Sequence, residues 1–179
     1  MLEFNPINID MMSYCFSEIN TKSTIRQELL QLCNNEKHWI DPNIGTFLQK
    51  TPPKDLIYKD NFLKVICENF ISNYDTDVHI FMINPWTHYM LHTDSHRSSS
   101  INLLINDFTD SISYFKVSEI YKSQIDIQEL QYKPDTYYLI NSKVPHAITN
   151  RDLSRYVLSI TLNDNFRNIQ SKLKDQLCL

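Results

Sequence analysis

Hydrophobic residues follow a helical pattern in the first 75 residues and an extended pattern in much of the rest of the chain. In the first part they recur every three to four positions, which places them on one face of an α-helix. This spacing predicts helices at about 24–36 and 61–73, and it returns in a tail helix at about 164–176. Thr24 and Gln27 have the spacing of a capping box, which predicts where the first helix begins.

From residue 76 onward, short segments rich in Ile, Val, Tyr and Phe alternate with polar turn residues, which is typical of consecutive β-strands. The predicted strands are 77–84, 100–107, 111–117, 136–141 and 154–162. We therefore expect a mainly β protein with N-terminal helices packed against an antiparallel sheet or barrel. The expected organisation is a single domain, 1–179, with mainly helical support in 1–75, a β core in 76–162 and a C-terminal helix in 163–179.

Composition supports one globular domain and excludes several functions. The 179 residues are 42% hydrophobic, enough for a core of ordinary size. A net charge of −4 gives no general attraction to nucleic acid or anionic membranes, so we expect neither as a partner. The single glycine, Gly45, excludes the glycine-rich phosphate loops of P-loop and Rossmann proteins.

The cysteines and the chain start indicate a cytoplasmic protein. Cysteines 15, 33, 67 and 178 form no CxxC pair, so we expect reduced thiols. The first ten residues contain neither a basic region nor an apolar run typical of export signals. No apolar run reaches the roughly 20 residues that cross a bilayer, so we expect no membrane partner.

Four of the six histidines lie within residues 78–97, and His92 and Asp94 stand two residues apart there. On a β-strand, residues two apart point to the same face, so both side chains can bind one metal ion. A helix would instead stack His88, His92 and His96 on one side as a three-histidine zinc site. We favour the strand, since the intervening Thr, Tyr and Ser residues are mediocre helix formers and no Glu follows His88.

Two further candidates follow in the C-terminal strands. His146 comes after the predicted strand 136–141 and a polar turn, and Arg155 follows nine residues later. On the strand 154–162, Arg155 shares a face with Ser159 and Thr161, which suits a cavity that holds an anion better than an apolar core. Arg151, in the preceding turn, is the competing candidate for the anion.

The order His92-x-Asp94, His146 and Arg155 resembles the iron(II)- and 2-oxoglutarate-dependent oxygenases, over roughly residues 78–162. The stretches 92–105 and 137–160 are similar to the small oxygenases near the aspartyl/asparaginyl hydroxylase-like branch. This resemblance implies a double-stranded β-helix, the cupin-like jelly roll, for the core.

The resemblance also implies an activity and a set of roles. His92, Asp94 and His146 would bind Fe(II) and leave three positions open for 2-oxoglutarate and O2. Arg155 would pair with the far carboxylate of 2-oxoglutarate, and the protein would act as a dioxygenase, most simply a hydroxylase. Asn102 and Arg97 are weaker candidates for contacts to the cosubstrate, and His88 for the substrate pocket. Many relatives carry Ser two residues after the Arg, where this chain has Val157.

The sequence leaves the substrate and the oligomeric state open. A small molecule or a protein side chain fits the predicted chemistry. One alternative is a non-catalytic cupin-like module that binds metal or ligand. Another is a metal-dependent cupin isomerase or dioxygenase, which usually has three or four His with a Glu and would give Arg155 no role.

Overall fold

The computed structural model describes residues 14–35, 39–42, 47–107, 110–118 and 125–177. Within these ranges, ten strands and five helices follow one another along the chain. They are β1 (Phe16–Lys22), α1 (Arg26–Cys33), β2 (Phe47–Lys50), α2 (Lys54–Ile57), α3 (Asn61–Phe70), α4 (Tyr74–Asp77), β3 (Val78–Ile83), β4 (His88–His92), β5 (Ser99–Leu104), β6 (Ile112–Ser118), β7 (Ile125–Leu130), β8 (Thr136–Asn141), β9 (His146–Thr149), β10 (Arg155–Leu162) and α5 (Phe166–Leu177). None of the helices in these ranges is long and apolar enough to cross a membrane.

The strands form two antiparallel sheets. One has six strands in the order β1-β8-β5-β10-β3-β2, and the other has four in the order β4-β9-β6-β7. From β3 to β6 the chain passes to the other sheet after every strand, which is the winding of a jelly roll. The predicted fold class, a mainly β double-stranded β-helix with N-terminal helices, is confirmed.

The helices cover the outer face of the six-stranded sheet. One apolar core joins Leu29 of α1, Leu63 of α3 and Ile169 of α5 to strand residues such as Leu158 and Ile160 of β10. Because side chains alternate along a strand, the residues between these, among them Ser159, face the four-stranded sheet instead. The space between the two sheets is therefore where β10 presents polar groups.

Most predicted elements are present, with some corrections. The capping box was wrong: α1 begins at Arg26 with no side-chain cap, and Thr24 Oγ1 instead donates to Asp60 Oδ2 at 3.1 Å. Residue 36, the expected end of that helix, lies outside the described residues. The hydrophobic pattern did not predict β1 or β2 in the N-terminal part, because both are sheet edges with mixed burial. It also did not predict β7 or the four-residue β9.

The cysteines within the described ranges are free thiols. Cys15, Cys33 and Cys67 are buried and unpaired, while residue 178 lies outside the described residues. Burial raises the pKa of Cys33 to about 12, so its thiol stays protonated and unreactive at neutral pH. These cysteines therefore act as small apolar residues of the core.

Asp60 connects α3 to the segment before α1 and to strand β8, and its replacement by alanine is expected to destabilise the fold. Its carboxylate is 1% exposed and accepts from Leu63 N at 3.1 Å, Thr24 N at 2.9 Å and Tyr137 Oη at 2.8 Å. Asp60→Ala leaves these donors buried without a partner, so the free energy of unfolding should fall by about 3 kcal/mol. Urea unfolding measures the loss, with the exposed Asp55→Ala as control; equal losses for both variants would contradict this role.

Candidate metal centre

The two sheets enclose a cavity of about 820 Å³. The six-stranded sheet contributes Phe81, Asn102 and Val157 to its wall, and the four-stranded sheet contributes Phe115 and Ile148. A volume of this size lies within the range of small-molecule sites, roughly 300–1,000 Å³. Three candidate metal ligands and a buried arginine lie in its wall.

His92, Asp94 and His146 converge on one point of this cavity. His92 ends β4 and His146 begins β9, and the antiparallel pairing of these strands sets the two residues opposite each other. Their ring centroids are 4.4 Å apart, and one candidate ligand atom from each of the three residues lies within 4.8 Å of the others. Two imidazoles and one carboxylate form the donor set of non-haem Fe(II) sites. The residues present therefore fit such an ion.

The local structure around these residues differs from the sequence argument in one respect. Asp94 lies in the loop after β4 and not on the strand itself, and its backbone N–H donates to Ser142 O at 3.1 Å. The loop is held to the turn before β9, because Lys143 Nζ donates to Asp94 O at 2.9 Å. These contacts connect the two ligand-bearing segments, although some fifty residues separate them along the chain.

The helical alternative, with three stacked histidines, was wrong. His88 and His92 lie on a strand, and both His88 and His96 are exposed. His88 Nδ1 is 3.4 Å from Thr149 Oγ1, and His88 is not among the residues that line the cavity. His96 does contribute to the cavity lining, although neither histidine joins the metal-ligand group.

Both candidate histidine ligands are oriented by backbone carbonyls. His92 Nδ1 donates to Met90 O at 2.7 Å, and His146 Nδ1 donates to Val144 O at 2.9 Å. A carbonyl only accepts, so Nδ1 carries the proton in each ring and Nε2 keeps its lone pair for a metal. The Nε2 atoms face Asp94, at 3.5 Å from Oδ1 for His92 and 4.0 Å from Oδ2 for His146.

The electrostatics favour a charged carboxylate and a neutral His146. Burial alone would raise the pKa of Asp94, but the hydrogen bond from His92 and the charge of Arg97 hold it well below its usual range. Burial lowers the pKa of His146. Burial acts the same way on His92, but the Asp94 carboxylate and the Met90 carbonyl outweigh it and raise the pKa of His92. A bound metal would replace that proton.

Arg155 lies 1% exposed in the wall of the same cavity. Its Nη1 donates to Ser111 Oγ at 2.8 Å, its Nη2 donates to Ser113 Oγ at 3.2 Å, and its Cζ lies 4.8 Å from the centre of the Tyr132 ring. Within the described ranges it forms no ion pair with a carboxylate, and its Nε has no hydrogen-bond partner. Burial of a charge costs free energy unless a group of opposite charge binds beside it. The geometry therefore fits an anionic ligand.

The remaining predicted site residues divide between the cavity and the surface. Asn102 lines the cavity, with Nδ2 donating to Tyr132 Oη at 3.2 Å and Oδ1 buried without a partner among the described residues. Arg97 also lines it, but its Nε donates to Asp94 and its Nη1 to Ser159. Arg151, the competing anion candidate, is exposed and lies outside the lining.

Sequence reasoning missed the groups that surround Arg155. Ser111 and Ser113 stand two apart in the predicted strand 111–117, so their shared face was a usable signal. Tyr132 follows β7, a strand that the hydrophobic pattern did not predict, and no sequence signal connects it to Arg155.

No protein-family model and no curated protein matches the sequence. Solved structures with a similar fold were found by comparing the structures. A prolyl-4-hydroxylase of Pseudomonas putida superposes with a TM-score of 0.61 at 12% identity, covering 87% of this chain and 97% of its own. A prolyl hydroxylase from Trichoplax adhaerens, in complex with a hypoxia inducible factor peptide fragment, gives 0.61 at 12% identity, with 90% of each chain covered. A 2OG-Fe(II) oxygenase family oxidoreductase from Burkholderia pseudomallei gives 0.54 at 8% identity, covering 92% of this chain and 94% of its own. This chain therefore has the double-stranded β-helix fold of the 2-oxoglutarate- and iron(II)-dependent oxygenases.

Proposed function

We propose that the protein is a non-haem oxygenase that uses Fe(II), 2-oxoglutarate and O2 to hydroxylate a small molecule or a protein side chain. One observation carries this proposal: two histidines and a carboxylate meet in a cavity whose wall also holds a buried arginine that has no carboxylate partner among the described residues. The shared fold with a 2OG-Fe(II) oxygenase supports it.

Each residue has a distinct part in this function. His92, Asp94 and His146 would hold Fe(II), and Arg155 would pair with the far carboxylate of 2-oxoglutarate through its planar fork. When bound, the metal and cosubstrate would supply the oxidation, in which 2-oxoglutarate, O2 and a C–H group of the substrate yield succinate, CO2 and a hydroxylated product. Ser113 Oγ orients the guanidinium, and the Tyr132 ring covers it. Asn102 lines the same cavity, and its Oδ1 is buried without a partner in the described part of the chain.

Apolar side chains form part of the wall around the candidate centre. Phe115, 2% exposed, stacks against the His146 ring with centroids 5.9 Å apart. Ile148 and Val157 add apolar surface on the two sides of the cavity. The burial of Arg155 strengthens its attraction to a carboxylate, because little solvent screens the pair.

The class of substrate is supported by the cavity and by one neighbour. The volume of about 820 Å³ exceeds what 2-oxoglutarate needs, which leaves room for a second small group. The neighbour from T. adhaerens is in complex with a peptide, which supports a protein side chain as one substrate.

The free thiols of Cys15, Cys33 and Cys67 support the expected cytoplasmic location.

Turnover of 2-oxoglutarate tests the proposal directly. Purified protein with Fe(II), ascorbate and 2-oxoglutarate is expected to form succinate, faster when a substrate is present. Succinate is measured by mass spectrometry, with His146→Ala as the inactive control. Tight binding of metal and 2-oxoglutarate, with no succinate above this control across a panel of peptides, amino acids, nucleotides and metabolites, would instead show the non-catalytic module.

A further inference from the structure

We propose that Arg97 is a positioning residue that keeps Asp94 a ligand through one oxygen. This inference rests on the proposed function, because it concerns how the candidate metal centre is held ready for its cosubstrate. The resemblance to the oxygenases implied a different role for Arg97, a contact to the cosubstrate.

The contacts of Arg97 are specific to one side of the carboxylate. Its Nε donates to Asp94 Oδ2 at 2.5 Å, and its Nη1 donates to Ser159 Oγ at 3.0 Å. Ser159 belongs to β10, the strand that also carries Arg155, so Arg97 joins the ligand loop to the rigid centre of the six-stranded sheet. The other oxygen, Oδ1, has the shorter histidine contact, at 3.5 Å from His92 Nε2, whereas His146 Nε2 is 4.0 Å from Oδ2.

The two carboxylate oxygens of Asp94 therefore have different roles. Arg97 holds Oδ2, and Oδ1 stays available to a metal on the side of His92. Lys143 is no substitute, since its Nζ contacts the backbone oxygen of Asp94 and not the carboxylate. Arg97 is also partly buried, with 25% of its side chain exposed, so solvent screens the ion pair less than a surface pair.

The number of oxygens that bind has a chemical consequence. An octahedral ion with two histidines and one carboxylate oxygen keeps three positions free. A carboxylate that binds through both oxygens takes a fourth position and leaves only two. 2-Oxoglutarate needs two positions and O2 needs one, so two remaining positions cannot hold both. Arg97 thus preserves the third free position.

Mn(II) is a suitable probe, because its affinity and its bound waters can both be measured without turnover. Calorimetry gives the affinity, and the broadening of the Mn(II) EPR lines in ¹⁷O-water gives the number of bound waters. The variants are Arg97→Met, which removes the charge, and Arg97→Lys, which keeps it. Arg151→Met is the matched control, because Arg151 is exposed and lies outside the cavity lining.

For wild type and Arg151→Met we expect three bound waters and equal affinity. For Arg97→Met we expect affinity about 10- to 100-fold weaker and one water fewer. Arg97→Lys should restore the third water, with intermediate affinity. An ion pair that merely stabilises the fold would change the unfolding midpoint without changing the water count.

The outcomes separate this inference from the proposed function. A wild-type protein that binds no Mn(II) overturns both. A wild type with three waters, together with an Arg97→Met variant of equal affinity and equal water count, overturns only the role of Arg97. If circular dichroism shows that Arg97→Met does not fold, the Mn(II) affinities of Arg97→Lys and Ser159→Ala test the role of Arg97 instead. Both are expected to bind Mn(II) several-fold more weakly, and unchanged affinity in both overturns the role.

Discussion

Replacing Arg155 by methionine is expected to weaken 2-oxoglutarate binding strongly and to leave metal binding intact. The guanidinium is buried and held by Ser111 and Ser113, so a carboxylate that pairs with it is shielded from water. Removing one partner of a buried, hydrogen-bonded charge pair costs about 2–5 kcal/mol, or a loss of affinity of about 30-fold or more. Calorimetry of 2-oxoglutarate binding to the Mn(II)-loaded protein measures this loss.

Two controls make the Arg155 result specific. Arg151→Met removes the competing arginine, which is exposed, and should leave 2-oxoglutarate affinity unchanged. The unfolding free energy of ligand-free Arg155→Met should equal or exceed that of the wild type, because an apolar side chain replaces a buried charge for which the described ranges contain no carboxylate partner. A loss confined to Arg151→Met, or equal losses of metal and 2-oxoglutarate in Arg155→Met, would contradict the assignment.

Replacing His146 by alanine is expected to remove metal binding altogether. His146 is 8% exposed, and its Nδ1 bond to Val144 O aims Nε2 toward Asp94. Loss of one of three protein ligands leaves only two donors, so Mn(II) affinity should fall beyond the range of a calorimetric titration. The same measurement on His92→Ala and Asp94→Ala should give losses of the same order.

The chain offers a matched control for this experiment. His88 lies on β4, the strand that pairs with β9, but it is exposed and outside the cavity lining. His88→Ala should therefore bind Mn(II) as the wild type does. Equal Mn(II) affinity in wild type, His88→Ala and His146→Ala would place any metal site elsewhere in the protein.

Local patterns predicted the fold well where one face of an element is buried. The strand 136–141 was predicted with its observed bounds, and α3 and α5 follow their apolar stripes. The sequence-based predictions failed for strands at the sheet edges and for short elements. β1 and β2 have one neighbour each, and α1 begins without the predicted cap because Thr24 contacts Asp60 from another helix instead. Tertiary contacts thus override local preference at such positions.

In the candidate site too, local spacing predicted some features and tertiary contacts set the others. The spacing of His92 and Asp94 indicated a shared target, yet Asp94 reaches it from a loop held by Ser142 and Lys143. Arg97, a weak candidate for the cosubstrate, lies instead against Asp94 and Ser159. The role of the three residues as metal ligands stays a prediction, which the titrations above test.

The amino-acid sequence by itself determined the residue types of the candidate metal centre, their order along the chain and the alternation that turns Arg155 away from the apolar core. These follow from local periodicity and side-chain chemistry, which need no knowledge of distant contacts. Only the tertiary structure decided that His92 and His146 stand opposite each other, that Ser113 and Tyr132 surround Arg155, and that Arg97 holds Asp94. Strand pairing and sheet packing bring together residues far apart in the chain, and no local pattern encodes which ones will meet.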